Sequence, residues 1–315
     1  MSFKDIPNIE KYDFYIGVAF RAGTKAADDT RGGTVGTRLD KSKKIEMARV
    51  LAIKKSVEHS LKTIEQKYPS LDDLTEFYKE MIKVTLDYVE IKKSLGSVKW
   101  CIEKLNELFE MYYDKLKKCK DLDYINTTRR EFMGRVSSVL KQIRHHLEYL
   151  EETRKTVLGF PVIKQKYITV AIAGFPNVGK STLLKRLTPA KPEIKSYAFT
   201  TKSLNCGYVE NFQFIDTPGT LNREEKMNQI EAYAYLAMKY CADIIIYVYD
   251  VTEPYSLDEQ KKLLLRVKKF GKPILLYVSK SDVVDEKLIN DFCKGKEIMR
   301  KSEDVIPALK KVEVL

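Results

Sequence analysis

Residues 174–181 read GFPNVGKS, the spacing G-x-x-x-x-G-K-S, between an apolar run, YITVAIAG, and a helical run that opens STLLKRL. A loop of this kind handles polyphosphate. Its backbone N–H groups and the helix N-terminus can surround α- and β-phosphates, Lys180 can neutralise charge at the β- and γ-positions, and the Ser181 hydroxyl can reach Mg2+. Gly174 and Gly179 let the backbone approach with no Cβ in the way. Phe175, Pro176, Asn177, Val178 and Thr182 belong to the same segment and are assigned to the nucleotide site with it.

A second phosphate motif, DTPG at 216–219, follows the strand-like NFQFI. Asp216 is placed to hold Mg2+ through a water, and the Gly219 N–H to meet a γ-phosphate. Between the motifs lies SYAFTTKS, 196–203, whose Thr200 and Thr201 are both candidates to reach Mg2+ when a γ-phosphate is present; position favours Thr201. Ser181, Thr201 and Asp216 form the expected Mg2+ set, and Lys180, Thr201 and Gly219 are expected to support phosphoryl transfer. Many such hydrolases orient the attacking water with a glutamine just after the second glycine. Here that position is Thr220, so slow intrinsic hydrolysis is expected.

The base is read further on. YVSKSD, 277–282, follows KPILLYV where a base-recognition loop belongs. The Asp282 carboxylate offers two acceptors to guanine's N1–H and exocyclic amine, whereas adenine would leave it unpaired. Lys280 can lay its aliphatic stem along the ring. Guanine loops usually begin with asparagine, and Ser279 stands there with a shorter side chain. Guanine preference is expected nonetheless. RKSED, 300–304, has two readings: a backbone N–H near Ser302 meets the guanine carbonyl, or Ser302 caps a helix.

The elements that carry these motifs change character after Pro161. Beyond it, strand-like runs (YITVAIAG, SLNCGYVE, NFQFID, ADIIIYVYD, KPILLYVSK) alternate with helices starting near Lys180, Arg223, Ser256 and Asp285. That order implies an α/β fold with a mostly parallel sheet flanked by helices, NFQFID pairing antiparallel to the strand before it. Upstream, residues 41–158 read as long amphipathic helices: one ending at Pro69, then 71–95 and 98–119 divided near Gly96, then 128–157. The expected organisation is a helical bundle over residues 1–165 and a nucleotide-binding domain over 166–315. Residues 21–38, RAGTKAADDTRGGTVGTR, are expected to be a mobile loop, either disordered or a basic contact.

Composition narrows the class. A chain of 315 residues, 44% hydrophobic and 32% charged, suits two domains of roughly 150 residues each. The apolar run 242–251 contains two aspartates and is about half of the ~20 residues a membrane span needs. The first 25 residues lack a secretory pattern. Five scattered cysteines without C-x-x-C spacing suit reduced thiols in a cytoplasmic protein. The net charge of +12, of which +7 lies in residues 1–165, fits either an anionic partner, nucleic acid before membrane, or a lysine-rich solubilising surface. Arg129, Arg130, Arg135 and Arg144 form either a solvated face or a phosphate contact. Trp100 is expected in the core, with base stacking as the alternative. His145–His146 has no partner at ligand spacing and reads as structural or surface. A monomer is expected.

GFPNVGKSTLL, AFTTKSLNCGYVE and DTPG resemble the Obg-like GTPases. With KSLGSVKW (93–100), RREFMGRVSSVLKQI (129–143), LTPAKPEIKSYAFTTKS and EPYSLDEQ, the chain more narrowly resembles the nucleolar G-protein (Nog) family, in an archaeal-type short form. The resemblance implies Mg2+-dependent conversion of GTP to GDP in large ribosomal subunit assembly, the helical domain engaging ribosomal RNA of a large-subunit precursor. The chain departs from the family in SKSD for N-K-x-D and in TLNREE after DTPG. Related GTPases hold potassium at the position of Asn177, which therefore either places K+ against the phosphates or braces the loop. Two other function classes stand beside this one: a nucleotide-gated binding module with little hydrolysis, and a signalling GTPase with a protein or membrane partner.

Overall fold

The computed structural model describes residues 3–160, 166–188, 193–196, 203–217, 229–252, 255–295 and 297–313. Six helices precede the sheet: α1 (Tyr12–Gly33), α2 (Arg38–Lys67), α3 (Glu76–Thr85), α4 (Tyr88–Lys118), α5 (Leu122–Gln142) and α6 (Arg144–Leu158). Packing divides the chain into two units, Met1–Asp73 with Leu86–Leu158, and Leu74–Thr85 with Gly159–Leu315. Helix α3 therefore packs with the sheet, against its helix α8 (Gln229–Tyr240), although it lies within the residues expected to form the bundle.

The helical unit is built on apolar stripes at helical spacing. Val50, Ile53, Val57, Leu61 and Ile64 are buried along α2, and Ile91, Val98, Cys101, Ile102 and Leu105 along α4. Caps set the boundaries. Thr37 and Asp40 form a reciprocal capping box at the start of α2, Asp87 accepts from Val89 and Glu90 N–H groups at the start of α4, and Asp121 caps α5.

Several expectations change here. Residues 21–33 of the expected loop belong to α1, whose buried positions Tyr15, Ala19, Gly23 and Ala27 recur every four residues. The seam is made of small residues so that α1 lies close on α2; a Cβ on Gly23 would sit 2.6 Å from Ile53 Cγ1. Gly96 does not divide two helices. It lies inside α4, where an added Cβ would meet nothing within 4 Å, and the real break falls at Leu86–Asp87. The last helical run begins at Leu122 and is interrupted at Ile143, the C-cap of α5. Trp100 is 40% exposed and is not a core residue.

The second unit holds a seven-stranded sheet: β1 (Ile168–Ala173), β2 (Glu193–Ser196), β3 (Ser203–Val209), β4 (Phe212–Asp216), β5 (Ile244–Asp250), β6 (Ile274–Ser279) and β7 (Ile298–Met299). Their order is β2-β3-β4-β1-β5-β6-β7. β2–β3 and β3–β4 are antiparallel, and all other pairs are parallel. All seven residues of β5 are buried, and the first six form the continuous apolar run that a strand covered on both faces requires. Among the described residues this unit also holds helices α7 (Lys180–Leu187), α8, α9 (Leu257–Lys268), α10 (Glu286–Cys293) and α11 (Val305–Glu313), beside α3. The helix start expected near Arg223 lies outside the described residues. Among the described residues no helix is long and apolar enough to cross a membrane.

Candidate nucleotide-binding site

In open α/β sheets, sites form beyond the carboxyl ends of the strands. The loop 174–179 leaves the carboxyl end of the central strand β1 and turns into α7. Its backbone is unusual at three positions: Gly174 at φ 149°, Asn177 at φ 62° and Gly179 at φ 94°. At Gly174 even alanine is excluded, because its Cβ would lie 2.7 Å from the Val248 carbonyl oxygen. Phe175 stacks on Tyr255 with ring centroids 4.4 Å apart, tying the loop to the start of α9.

Lys180 is buried at 6% exposure, and its Nζ donates to the Gly174 and Phe175 carbonyls at 3.0 and 2.6 Å. Burial pushes its pKa down to about 8, against the pull of Asp216. Asp216 ends β4 in register with Ile172 of β1, and its Oδ2 accepts from the Ser181 hydroxyl at 2.5 Å. Thr217 fastens this edge by donating through Oγ1 to the Ile172 carbonyl at 2.7 Å. A hydroxyl and a carboxylate in contact are the hard oxygen donors that suit Mg2+. Pro176 is half-buried, Val178 is buried, and Asn177 and Thr182 are exposed. The Asn177 side chain makes no hydrogen bond among the described residues. Thr200, Thr201, Gly219 and Thr220 lie outside the described residues.

The SKSD loop begins two strands away, at the end of β6. Ser279 Oγ donates to the Tyr249 carbonyl at 3.0 Å, and a Cβ on Gly179 would lie 3.3 Å from the Ser279 Cβ. The short serine thus sits directly against the phosphate loop. Asp282 is exposed in the turn that follows. Ser302 opens a short 3-10 turn whose N-cap is Lys301, so it does not cap a helix. His146 Nδ1 is 3.0 Å from the hydroxyl of buried Ser94, the structural role expected, and the described residues hold no group of three or more His, Cys, Asp or Glu side chains placed around a metal position.

One residue of this site escaped the sequence reading. Asp250, the last residue of β5, is fully buried, and its carboxylate accepts from Lys280 Nζ at 2.6 Å, Thr252 N at 2.9 Å and Thr252 Oγ1 at 2.6 Å. Burial raises its pKa and the Lys280 and Thr252 bonds lower it; the bonds prevail. Lys280, so paired, adopts φ 55°, a conformation uncommon outside glycine, at the head of the turn that carries Asp282. An aspartate closing an otherwise apolar strand was the available signal. Asp250→Ala should destabilise the protein by about 2 kcal/mol, less than a fully buried pair would, because the Lys280 side chain is 37% exposed. It should also weaken GDP binding. Urea unfolding and a GDP titration test both; lost stability with unchanged GDP affinity would leave Asp250 no role in positioning the loop.

A phosphate loop after the central strand, a carboxylate ending its neighbour and an S-K-S-D loop two strands along a mostly parallel sheet define a P-loop GTPase. Two family descriptions match the chain: "NOG1 N-terminal helical domain" over residues 3–164 and "50S ribosome-binding GTPase" over residues 169–280. The chain belongs to the NOG1 family. It is 38% identical over 291 residues to an uncharacterized protein of Methanocaldococcus jannaschii, covering 91% of this chain and 83% of that one. To Nucleolar GTP-binding protein 1 of Drosophila melanogaster it is 34% identical over 233 residues, 71% of this chain and 36% of that one. The chain spans between 36% and 51% of the eukaryotic relatives it matches. Among solved structures, Era of Aquifex aeolicus bound to GDP and AlF4− is similar at 25% identity, with a TM-score of 0.35, over 47% of this chain and 56% of that one.

Proposed function

We propose that this protein binds GTP, hydrolyses it slowly to GDP, and acts in assembly of the large ribosomal subunit, its helical unit engaging ribosomal RNA. The observation that carries the reading is the Lys180–Ser181–Asp216 cluster beneath the phosphate loop, in one chain with a NOG1 helical domain. Residues 1–165 are assigned to the partner and 166–315 to the nucleotide, with α3 serving the latter by its packing.

In this reading residues 174–182 surround the phosphates, Lys180 faces the β- and γ-oxygens, and Gly219 and Thr201 approach the γ-phosphate. Ser181, Thr201 and Asp216 hold Mg2+, which when bound neutralises charge developing between the β- and γ-phosphates. Asp282 reads guanine, Lys280 supports the ring, Ser279 keeps the base loop against the phosphate loop, and the Ser302 turn meets the guanine carbonyl. The scattered spacing of the five cysteines, without C-x-x-C, supports a reducing, cytoplasmic setting. The net charge of +12 supports RNA as the partner.

Native ribosomal particles fractionated with and without a non-hydrolysable GTP analogue test the proposal. The protein should migrate with large-subunit precursors when the analogue is present; no association in either state would overturn the assembly role. Thr220 in the usual glutamine position favours a second reading, a nucleotide-gated binding module that scarcely turns over. Multiple-turnover phosphate release separates the two.

The exposed Asn177 amide suits an ion ligand better than a brace, since it bonds nothing among the described residues. GTP turnover should therefore be faster in potassium than in matched sodium buffer, and Asn177→Ala should remove that difference. A monovalent cation at this position would add charge where the transition state gathers its own. Identical rates in both salts would sink the potassium role and leave a ribosomal partner as the activator.

A further inference from the structure

Three helices of the helical unit converge on an open hollow of about 550 Å3. Arg31 comes from the end of α1, Arg38 and Lys41 from the first turns of α2, and Asn126 and Arg129 from α5, with Glu46 as the only carboxylate of the lining. Nothing in the linear order of the chain unites these residues.

The lining carboxylate is already committed. Glu46 is buried, and it accepts from Arg49 at 2.8 Å and from Arg129 at 3.4 Å. It therefore fastens Arg129 to the floor of the hollow and leaves little negative charge to face outward. Arg31 pairs with Asp28 at 3.2 Å, but both side chains are more than half exposed, and such pairs yield readily to a better anion. The exposed side chains of Arg38 and Lys41 have no hydrogen-bond or ion-pair partner among the described residues. The end of α2 is not itself the attraction: Thr37 and Asp40 already satisfy each other there. What remains is a concave surface with four cations and an amide donor.

We infer that this hollow between α1, α2 and α5 is a binding site for consecutive phosphates of an RNA backbone; the inference rests on the RNA partner proposed above. Guanidinium groups fork onto phosphate oxygens, lysine supplies a point charge, and an asparagine amide can donate to phosphate or sugar. Exposed cations spread around an open hollow suit a chain of phosphates. One small anion would instead call for convergent, enclosed donors.

The experiment measures binding of a fluorescein-labelled RNA hairpin by the whole protein across a salt series. The double variant Arg38→Gln/Lys41→Gln is compared with Lys93→Gln/Lys104→Gln, an equal charge change on α4. The hollow variant should lose about tenfold or more in affinity, and its plot of log affinity against log salt should flatten by about two. The α4 variant should change much less. Equal losses in the two variants would mean that net charge alone acts, and the site would be wrong. An unmodified protein that binds no RNA would overturn the partner reading, and the site with it. Should the hollow variant keep hairpin binding but lose ribosomal particles, an acidic protein surface would be the ligand and the RNA assignment would fall. Displacement of the hairpin by inorganic phosphate, beyond chloride at equal ionic strength, would equally refute a backbone site. Unchanged far-ultraviolet circular dichroism and melting curves in both variants show that each is folded.

Discussion

A Lys180→Met variant is expected to bind GTP about 150-fold more weakly than the unmodified protein. The ammonium it removes is buried and donates to the Gly174 and Phe175 carbonyls, so it both shapes the phosphate loop and stands ready for anionic oxygens. A desolvated charge–charge contact of this kind is worth roughly 3 kcal/mol, within a range of about 2–5, which converts to about two orders of magnitude in affinity. Stability should move the other way. Burial lowers the Lys180 pKa from its ordinary 10.5 to about 8. Between those values the unfolded chain binds more protons than the fold, so the nucleotide-free protein gains stability as pH rises through that window. Below about 8 the charged lysine carries its full cost, on the order of 3 kcal/mol. At neutral pH the nucleotide-free variant should therefore melt higher than the unmodified protein, and the gap should close toward pH 10.5. A GTP titration and melting curves at several pH values measure both effects. A variant that binds GTP normally would remove Lys180 from the site.

The second large effect concerns the base. The unmodified protein should prefer GTP to ATP on the order of a thousandfold, because a carboxylate built to accept two donors is left unpaired against adenine. Asp282→Asn replaces one acceptor with an amide donor. GTP affinity should fall about a hundredfold, while a xanthine nucleotide, which carries a carbonyl where guanine has its amine, should gain. Competition of the three nucleotides against a fluorescent GDP analogue gives the ranking. Equal binding of ATP and GTP by the unmodified protein would exclude Asp282 as the discriminating residue, and with it the guanine reading of the SKSD loop.

The phosphate loop was legible because its signal is local. Strand, loop and helix are adjacent in the chain, and Lys180 and Ser181 follow from the spacing alone. The β3–β4 hairpin and the capped starts of α9 and α10 were legible for the same reason: each is decided by a few neighbouring residues. Helix α1 was hidden because its seam is Ala19, Gly23 and Ala27, small residues that carry little hydrophobic signal and are buried only because α2 lies so near. Gly96 misled in the opposite sense. A glycine exposed in mid-helix weakens the helix by about 1 kcal/mol, too little to break a run that is packed on its other face. The Asp250–Lys280 pair spans 30 residues, and the hollow at Glu46 and Arg129 spans 83. Only the folded arrangement brings such partners together.

The chain crosses between its two packing units three times, at residues 73–74, 85–86 and 158–159. Had it crossed once, a single recombination event could have exchanged either half for a foreign one. Here a gene junction near residue 160 would deliver the sheet without α3, and α8 would lose the helix whose Phe77, Met81 and Ile82 are buried and whose Thr85 bonds Tyr233. The donated helical half would carry α3 away with its apolar face uncovered. The two halves are therefore poor candidates for shuffling, and a lineage that keeps one has a physical reason to keep the other.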